Sequence, residues 1–433
     1  MLLGGPGTTR AGEGPGATSD ETRNAWLRGE QFVTRAGRWR ALAPTEKTHA
    51  GRETYIGYAV RATGRLDLDA LGIAYAAVCR AYPQLAARLE AGDAGPVFVE
   101  SDARPRVRVR DGDLEHPLTG VRLDQYRALS ALNVVRDGDD ASVCLLTHHS
   151  IADAHHSLEM LATLWSCYTD AVHGGPVEPA PHPFPRSLED LLAERGIHTD
   201  APAAAAPPGP TPEPPPVVVR HVAQHRLTRA ETTALAELGH RERVTINGLL
   251  SGVLLAVEAE VRDLPLTELL LRFTVNLRDR LTPRVGATEG TNVLGGAGFT
   301  VPDGTRPEPV AVGRAIGARL RAGLTDGSIQ RSLPDLVNRS ARGARPWDPT
   351  RAHAVVSLMN WGQAPPMRTP AGLRLTNLHS ASRKREASAL GGYVVSTFDG
   401  RLGIDLAWPE GDPELPRRIG CLRQQVGRLT RRP

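Results

Sequence analysis

The chain reads as an α/β protein in two parts, and three observations carry that reading. Its 433 residues exceed what one ordinary core organises. Each half opens with a strand-like run followed by a helix-like one. Between the halves, Ala201 to Pro216 is built almost wholly of Ala and Pro, which forms neither a stable helix interior nor a central strand. The expected layout is a loosely attached or disordered stretch over 1–30, a first lobe over 31–200, an extended linker over 201–216 and a second lobe over 217–433.

The elements follow in order. Tyr55 to Val60 is rich in aromatic and apolar residues and predicts a strand, and Leu71, Tyr75, Val78 and Tyr82 then share one helical face. Ala141 to Leu146 is an unbroken apolar run that predicts a buried strand. Leu158, Leu161, Trp165 and Tyr168 recur at spacings of three and four, so a helix follows it. Past the break, Val217 to Val222 predicts a strand, and a helix begins at Thr228 with Glu231 placed for a capping box. Val355 to Gln363 is a further strand-like run.

Chemistry concentrates where the apolar run Ala141 to Leu146 gives way to Thr147-His148-His149-Ser150-Ile151-Ala152-Asp153. A strand opening onto a loop fixes the backbone while its side chains meet a substrate. Histidine titrates nearest neutral pH, so His149 in such a turn can take a proton from an attacking hydroxyl, amine or thiol. Asp153 can hold that ring in place, or it can turn away and pair with a distant arginine to lock the loop. Spacing alone does not choose.

Other classes are disfavoured. His148, His149, His155 and His156 raise the question of a metal site, but there is no His-Glu-x-x-His run and no paired Cys-x-x-Cys, so none is expected. Cys79, Cys144, Cys167 and Cys421 are scattered and read as reduced core thiols. The net charge of +4 is spread among interspersed signs, and aromatic residues make up 4%, which does not provide a nucleic-acid face. A mild positive field suits the phosphate of coenzyme A, or the arm and acidic surface of a carrier protein. No apolar stretch is long enough to span a membrane, and the N-terminus lacks the order of a secretory signal, so a cytoplasmic location is expected.

The pattern HHxxxD resembles the signature of the acyltransferase superfamily that includes chloramphenicol acetyltransferase, the condensation domains of nonribosomal peptide synthetases and polyketide-associated acyltransferases. The likeness is nearest to the phthiocerol/phthiodiolone dimycocerosyl transferase type. Arg40 to Glu46, Ala81 to Leu89, Val244 to Leu250, Val275 to Leu281 and Ala287 to Gly295 extend it, in order, from about residue 36 nearly to the end. One departure is visible: Ala154 stands where the family usually has Gly after the aspartate.

The resemblance implies two chloramphenicol acetyltransferase-like lobes, each a mixed sheet with helices, with an active-site channel between them. It implies His149 as the general base, His148 in a structural role, and Asp153 in an ion pair with Arg278, or failing that Arg280. Asn360 and Trp361 look like the Phe-Asn-Tyr-Leu-Gly segment of condensation domains. Asn360 is expected to meet substrate or the developing oxyanion, and Trp361 either to join it or to fill the core. Thr291 and Asn292 resemble the loop that floors the channel, where they shape the site and contact substrate secondarily. The implied reaction is acyl transfer from an acyl-carrier protein or coenzyme A thioester to a hydroxyl, with no cofactor beyond the thioester co-substrate. An amide-forming enzyme with an amine acceptor and a non-catalytic binding protein of the same fold are the rival readings. The oligomeric state is left open, a monomer included.

Overall fold

The fold is that of a computed structural model, in which residues 37–93, 95–199, 215–341, 354–386, 391–409 and 411–431 are described. The stretch 1–30 and most of the 201–216 linker lie outside the described residues. The first half runs β1 (Arg38–Ala41), α1 (Pro44–Gly51), β2 (Tyr55–Thr63), α2 (Leu68–Ala81), β3 (Ala87–Glu90), β4 (Val97–Glu100), β5 (Val107–Asp111), β6 (Ser130–Asp137), β7 (Asp140–His148), α3 (Ala154–Val172) and α4 (Leu188–Glu194). The second runs β8 (Val217–Arg220), β9 (Ala223–Arg226), α5 (Arg229–Glu242), α6 (Ile246–Arg262), β10 (Leu269–Asn276), β11 (Leu294–Thr300), α7 (Pro309–Thr325), α8 (Ser328–Ala341), β12 (Ala354–Gln363), β13 (Arg374–Arg385), β14 (Gly392–Phe398), β15 (Arg401–Ala407) and α9 (Leu415–Thr430).

Two six-stranded mixed sheets organise the lobes, one in the order β5-β6-β7-β2-β13-β8 and the other β11-β10-β12-β14-β15-β9. A small sheet, β1-β4-β3, flanks the first. The expected boundary at residue 217 needs correction, because β8 and β13 come from the second half yet complete the first sheet. β13 runs antiparallel along β2 from Arg374↔Thr63 to Arg383↔Tyr55. The reason is backbone satisfaction. β2 pairs with β7 on one side only, and a buried strand leaves a row of unpaired N–H and C=O groups unless another strand covers the other.

Helices α2 and α3 build the first core over β2, β6 and β7. Leu71, Tyr75 and Val78 of α2 meet Leu158, Leu161, Leu164, Trp165 and Tyr168 of α3, all buried. Each such side chain contributes roughly 1.5–3 kcal/mol of transfer free energy, so this stripe fixes α3 against the sheet and thereby fixes the turn before it. Asp67 caps α2 by accepting from the Ala70 N–H, and the Thr228–Glu231 capping box opens α5 as its spacing predicts. The second core packs α6 and α9 on the other sheet. All four cysteines are buried and free. No single helix among the described residues is long and apolar enough to cross a membrane; α5 and α6 pass that test only as a pair bent by 103°.

Candidate active site

β7 ends at His148, and the chain turns through 149–153 into α3. Main-chain hydrogen bonds hold the turn: His148 N–H donates to Leu129 O (2.7 Å), His149 N–H to Thr54 O (2.7 Å) and Ile151 N–H to His148 O (3.0 Å). Ala154 is the first residue of α3 and is absent from the described non-glycine residues with positive φ. The backbone there does not require glycine, so alanine in that place costs the loop nothing.

Asp153 takes the second of the two roles left open by its spacing. Its Oδ2 accepts from Arg278 Nη1 (2.8 Å) and the Val293 N–H (2.9 Å), and its Oδ1 from Arg278 Nη2 (3.0 Å) and the His156 N–H (3.0 Å). One carboxylate thus caps α3, grips the second half of the chain and receives a two-pronged guanidinium. Arg278 is itself steadied by donating Nε–H to Ala287 O (3.1 Å), whereas Arg280 is exposed. Burial on its own would raise the Asp153 carboxyl, but the Arg278 charge and hydrogen bonds outweigh it and hold the group down at about 2.

The two adjacent histidines differ sharply. His148 is wholly buried, lies edge-on to Tyr55 with ring centroids 4.8 Å apart, and has Nδ1 2.6 Å from Ser150 Oγ. Burial, with the neighbouring His149 adding to it, pushes its pKa down to about 3, so the ring is neutral. His149 is half-buried. Its Nδ1 is enclosed and makes no hydrogen bond to another residue. Its ring lies parallel to that of His49, centroids 4.2 Å apart and planes 13° from coplanar. Burial lowers its pKa; its own carbonyl, the Asp153 charge and the Asn292 amide oppose this, while Lys384 adds to the lowering. The ring is therefore neutral at physiological pH, the form a general base requires.

Asn292 and Thr291 cross from the second half to brace this turn. Asn292 Nδ2 donates to His149 O (2.7 Å), and Thr291 O accepts from the Asp153 N–H (2.7 Å). The Thr291 hydroxyl donates to Glu46 Oε1 (2.7 Å) and is fully buried, so Thr291 shapes the site and has no group left for a substrate. Glu46 also receives both prongs of Arg40 (2.7 and 2.6 Å), tying the opening segment to the same loop.

Asn360 and Trp361 sit on a β-bulge where the register of β12 on β14 shifts between Asn360 and Gly362. Gly362 has φ +71°, a left-handed value that glycine adopts without strain, and its N–H donates to Asn360 Oδ1 (2.8 Å). The bulge aims Trp361 out of its own sheet and against Tyr58, centroids 4.7 Å apart, within the first core. Of its two expected roles Trp361 thus fills the core. The Asn360 amide donates to Asn247 Oδ1 (3.2 Å), so both ends of that side chain are engaged by protein.

A cleft of about 560 Å³ opens beside the ion pair, walled by His155 and Glu159 of α3, by Asn276, Arg278 and Arg284, and by Gln363. His149 is not on its wall. The Glu159 carboxylate accepts no hydrogen bond there; burial raises its pKa and Arg278 opposes the rise. His156, in contrast, is occupied, with Nδ1 on Gly290 O (3.0 Å) and Nε2 on the Gln84 amide (2.9 Å). No group of three or more His, Cys, Asp or Glu among the described residues is arranged to hold a metal ion. Sequence reasoning missed His49 and Glu159. Neither belongs to a motif, and only the pairing of β2 with β7 and the length of α3 bring them here.

Comparison with known proteins bears on the family and the fold. Residues 216–407 match the model of the phthiocerol/phthiodiolone dimycocerosyl transferase C-terminus. A phthiocerol/phthiodiolone dimycocerosyl transferase of Mycobacterium sp. (strain JLS) is 33% identical over 387 residues, covering 84% of this chain and 92% of that one. The solved structure of polyketide synthase associated protein 5 from Mycobacterium tuberculosis superposes with a TM-score of 0.76 at 27% identity, over 92% of this chain and 99% of its own. The first condensation domain of the calcium-dependent antibiotic synthetase shares the fold, with a TM-score of 0.63 at 15% identity over 90% and 96% of the two chains. An identity of one residue in three over most of both chains, on a common two-lobed fold, makes this protein a member of the phthiocerol/phthiodiolone dimycocerosyl transferase family of acyltransferases.

Proposed function

We propose that the enzyme moves an acyl group from a thioester, carried on an acyl-carrier protein or coenzyme A, to a hydroxyl acceptor of polyketide or lipid origin, with His149 as general base. The observation that carries this reading is the half-buried, neutral His149 ring at the end of β7, which Asp153 does not engage because it is committed to Arg278. In the step proposed, Nε2 takes the acceptor's proton as its oxygen attacks the thioester carbonyl. The tetrahedral adduct then collapses, the C–S bond breaks, and the imidazolium returns the proton to the departing sulfur. Thioesters are already activated and thiolates leave readily, so the step calls for no metal, redox cofactor or covalent enzyme intermediate. One positioned acid–base group is worth typically ~10² to 10⁴ in rate. The reading assigns the enzyme to the cytoplasm, where such thioesters are made.

An amine acceptor is the second reading, and one observation favours it: the Glu159 carboxylate in the cleft beside Arg278 accepts no hydrogen bond and would attract an amine in its ammonium form, which must lose a proton before its nitrogen attacks. Mass spectrometry of products from a panel of acyl-coenzyme A and acyl-carrier donors, offered alcohols and amines in competition, separates ester from amide formation. His149→Ala should lower product formation at least ~10²-fold with the melting temperature kept. Turnover at the wild-type rate in that variant would remove His149 from the mechanism.

A further inference from the structure

Base catalysis needs an imidazole held in one orientation, commonly by a carboxylate or carbonyl on the ring nitrogen that does not react. His149 has neither. Asp153 spends both oxygens on Arg278, the His156 N–H and the Val293 N–H, and His149 Nδ1 is enclosed without a hydrogen bond. The Asn292 amide donates to the His149 carbonyl (2.7 Å). The face of the ring is stacked by His49, with centroids 4.2 Å apart.

His49 is itself firmly placed. Its helix α1 is pinned at the start by Glu46, which accepts from the Ala43 N–H (2.8 Å), Arg40 and Thr291, and by Thr45, which donates N–H and Oγ–H to Glu189 (2.8 and 3.0 Å). At its other end, Thr54 donates its N–H to His49 O (3.1 Å) and accepts the His149 N–H on its own carbonyl (2.7 Å). The two histidines therefore share one backbone anchor as well as a ring contact, and the stack is registered from both sides.

We propose that His49 is a positioning residue for acyl transfer: its flat face orients the His149 imidazole, shields one side of it from water and faces the positive charge that His149 acquires during the reaction. This rests on the reading of His149 as the base. His49 suits the task because it stays neutral. Burial lowers its pKa well below the usual value, and His149, His148 and Arg52 lower it further. Two imidazoles in contact do not both accept a proton, so His49 does not compete for the one that His149 takes. A neutral aromatic face against a developing cation is favourable, more so away from water. The charged and titratable groups facing the pair are Asp153, Lys384 from β13, His148 and Arg52. None of them stacks on the ring.

The test compares His49→Ala with His49→Phe, which keeps a flat face and removes the nitrogens. Rates are read as thiol release from palmitoyl-coenzyme A with octanol as acceptor. The His149 ring is read directly by nuclear magnetic resonance titration of the protein labelled at histidine nitrogen, which needs no substrate. His49→Ala should lower kcat roughly tenfold or more with little change in KM. It should also move the His149 titration, and the acid limb of kcat with it, up towards 6.5, because the ring gains water. His49→Phe should recover most of the lost rate and restore the lower titration point. An unmoved His149 titration in His49→Ala, or a Phe variant that folds normally yet is as impaired as the Ala variant in titration and rate, would overturn the proposal. Failure of the base assignment is separate, since it shows as turnover in His149→Ala whatever His49 does.

Discussion

Asp153 and His149 stand four residues apart on one loop, and the structure treats them in opposite ways. At the Asp153 end every oxygen is engaged, the partners come from both halves of the chain, and burial makes each bond count. At the His149 end the ring is only half-buried and its Nδ1 makes no hydrogen bond to another residue. A fully satisfied group holds a structure; a group with spare bonding capacity can act on something else. The loop is held at one end and keeps spare bonding capacity at the other.

Breaking the held end should have the largest effect on stability. Arg278→Ala leaves the Asp153 carboxylate buried with its countercharge gone, and should cost about 3–5 kcal/mol in denaturant unfolding. Asp153→Ala should cost a similar amount, and the double variant much less than the sum, because both act on one interaction. Additive losses, or an unchanged melting temperature, would return Asp153 to the role of orienting His149. Trp361→Ala cuts the same seam without touching charge and should cost about 3 kcal/mol in the same measurement. Asn360→Ala removes an exchangeable pair of amide bonds and should cost much less.

The pH dependence sharpens the comparison. The folded-state pKa of Asp153 is depressed to about 2 from 3.8, so its contribution is fully present above 3.8 and is lost as pH falls from there towards 2. Acid unfolding of the wild type followed by circular dichroism should therefore show about 2 kcal/mol of loss in that window that Asp153→Asn lacks. The smallest effect is expected at Ala154→Gly. A helical φ gains nothing from glycine, so the change should lower stability by about 1 kcal/mol or less and leave acyl transfer at the wild-type rate. A gain in activity would show that the loop needs a conformation that alanine denies it.

Much of this was legible in the sequence, for identifiable reasons. The apolar run into His148 and the stripe from Leu158 to Tyr168 are local patterns, and they fixed the turn that carries His149. Arg278 was reachable through the Val-Asn-Leu-Arg likeness, and the observed pair matches that reading. The partition of the sheets was not legible. Alternation along β13 tells which face is apolar but not which sheet the strand joins, and that choice is made by the bare edge of β2. Thr291 and Trp361 were placed in the right region, but their contacts depend on Glu46 and Tyr58, more than two hundred residues away in sequence. His49 had no signal at all, since a ring stack between residues 49 and 149 leaves no spacing to read.

The passage of β13 between the sheets also bears on how the polypeptide can be divided. A gene split after residue 200 would encode a first fragment lacking the strand that covers β2 and the indole that packs on Tyr58. Such a fragment exposes an unpaired apolar edge and should aggregate when made alone. Made together, the two fragments should find each other as a strand finds its sheet, and function would return by complementation, because what joins the halves is woven into the sheet itself.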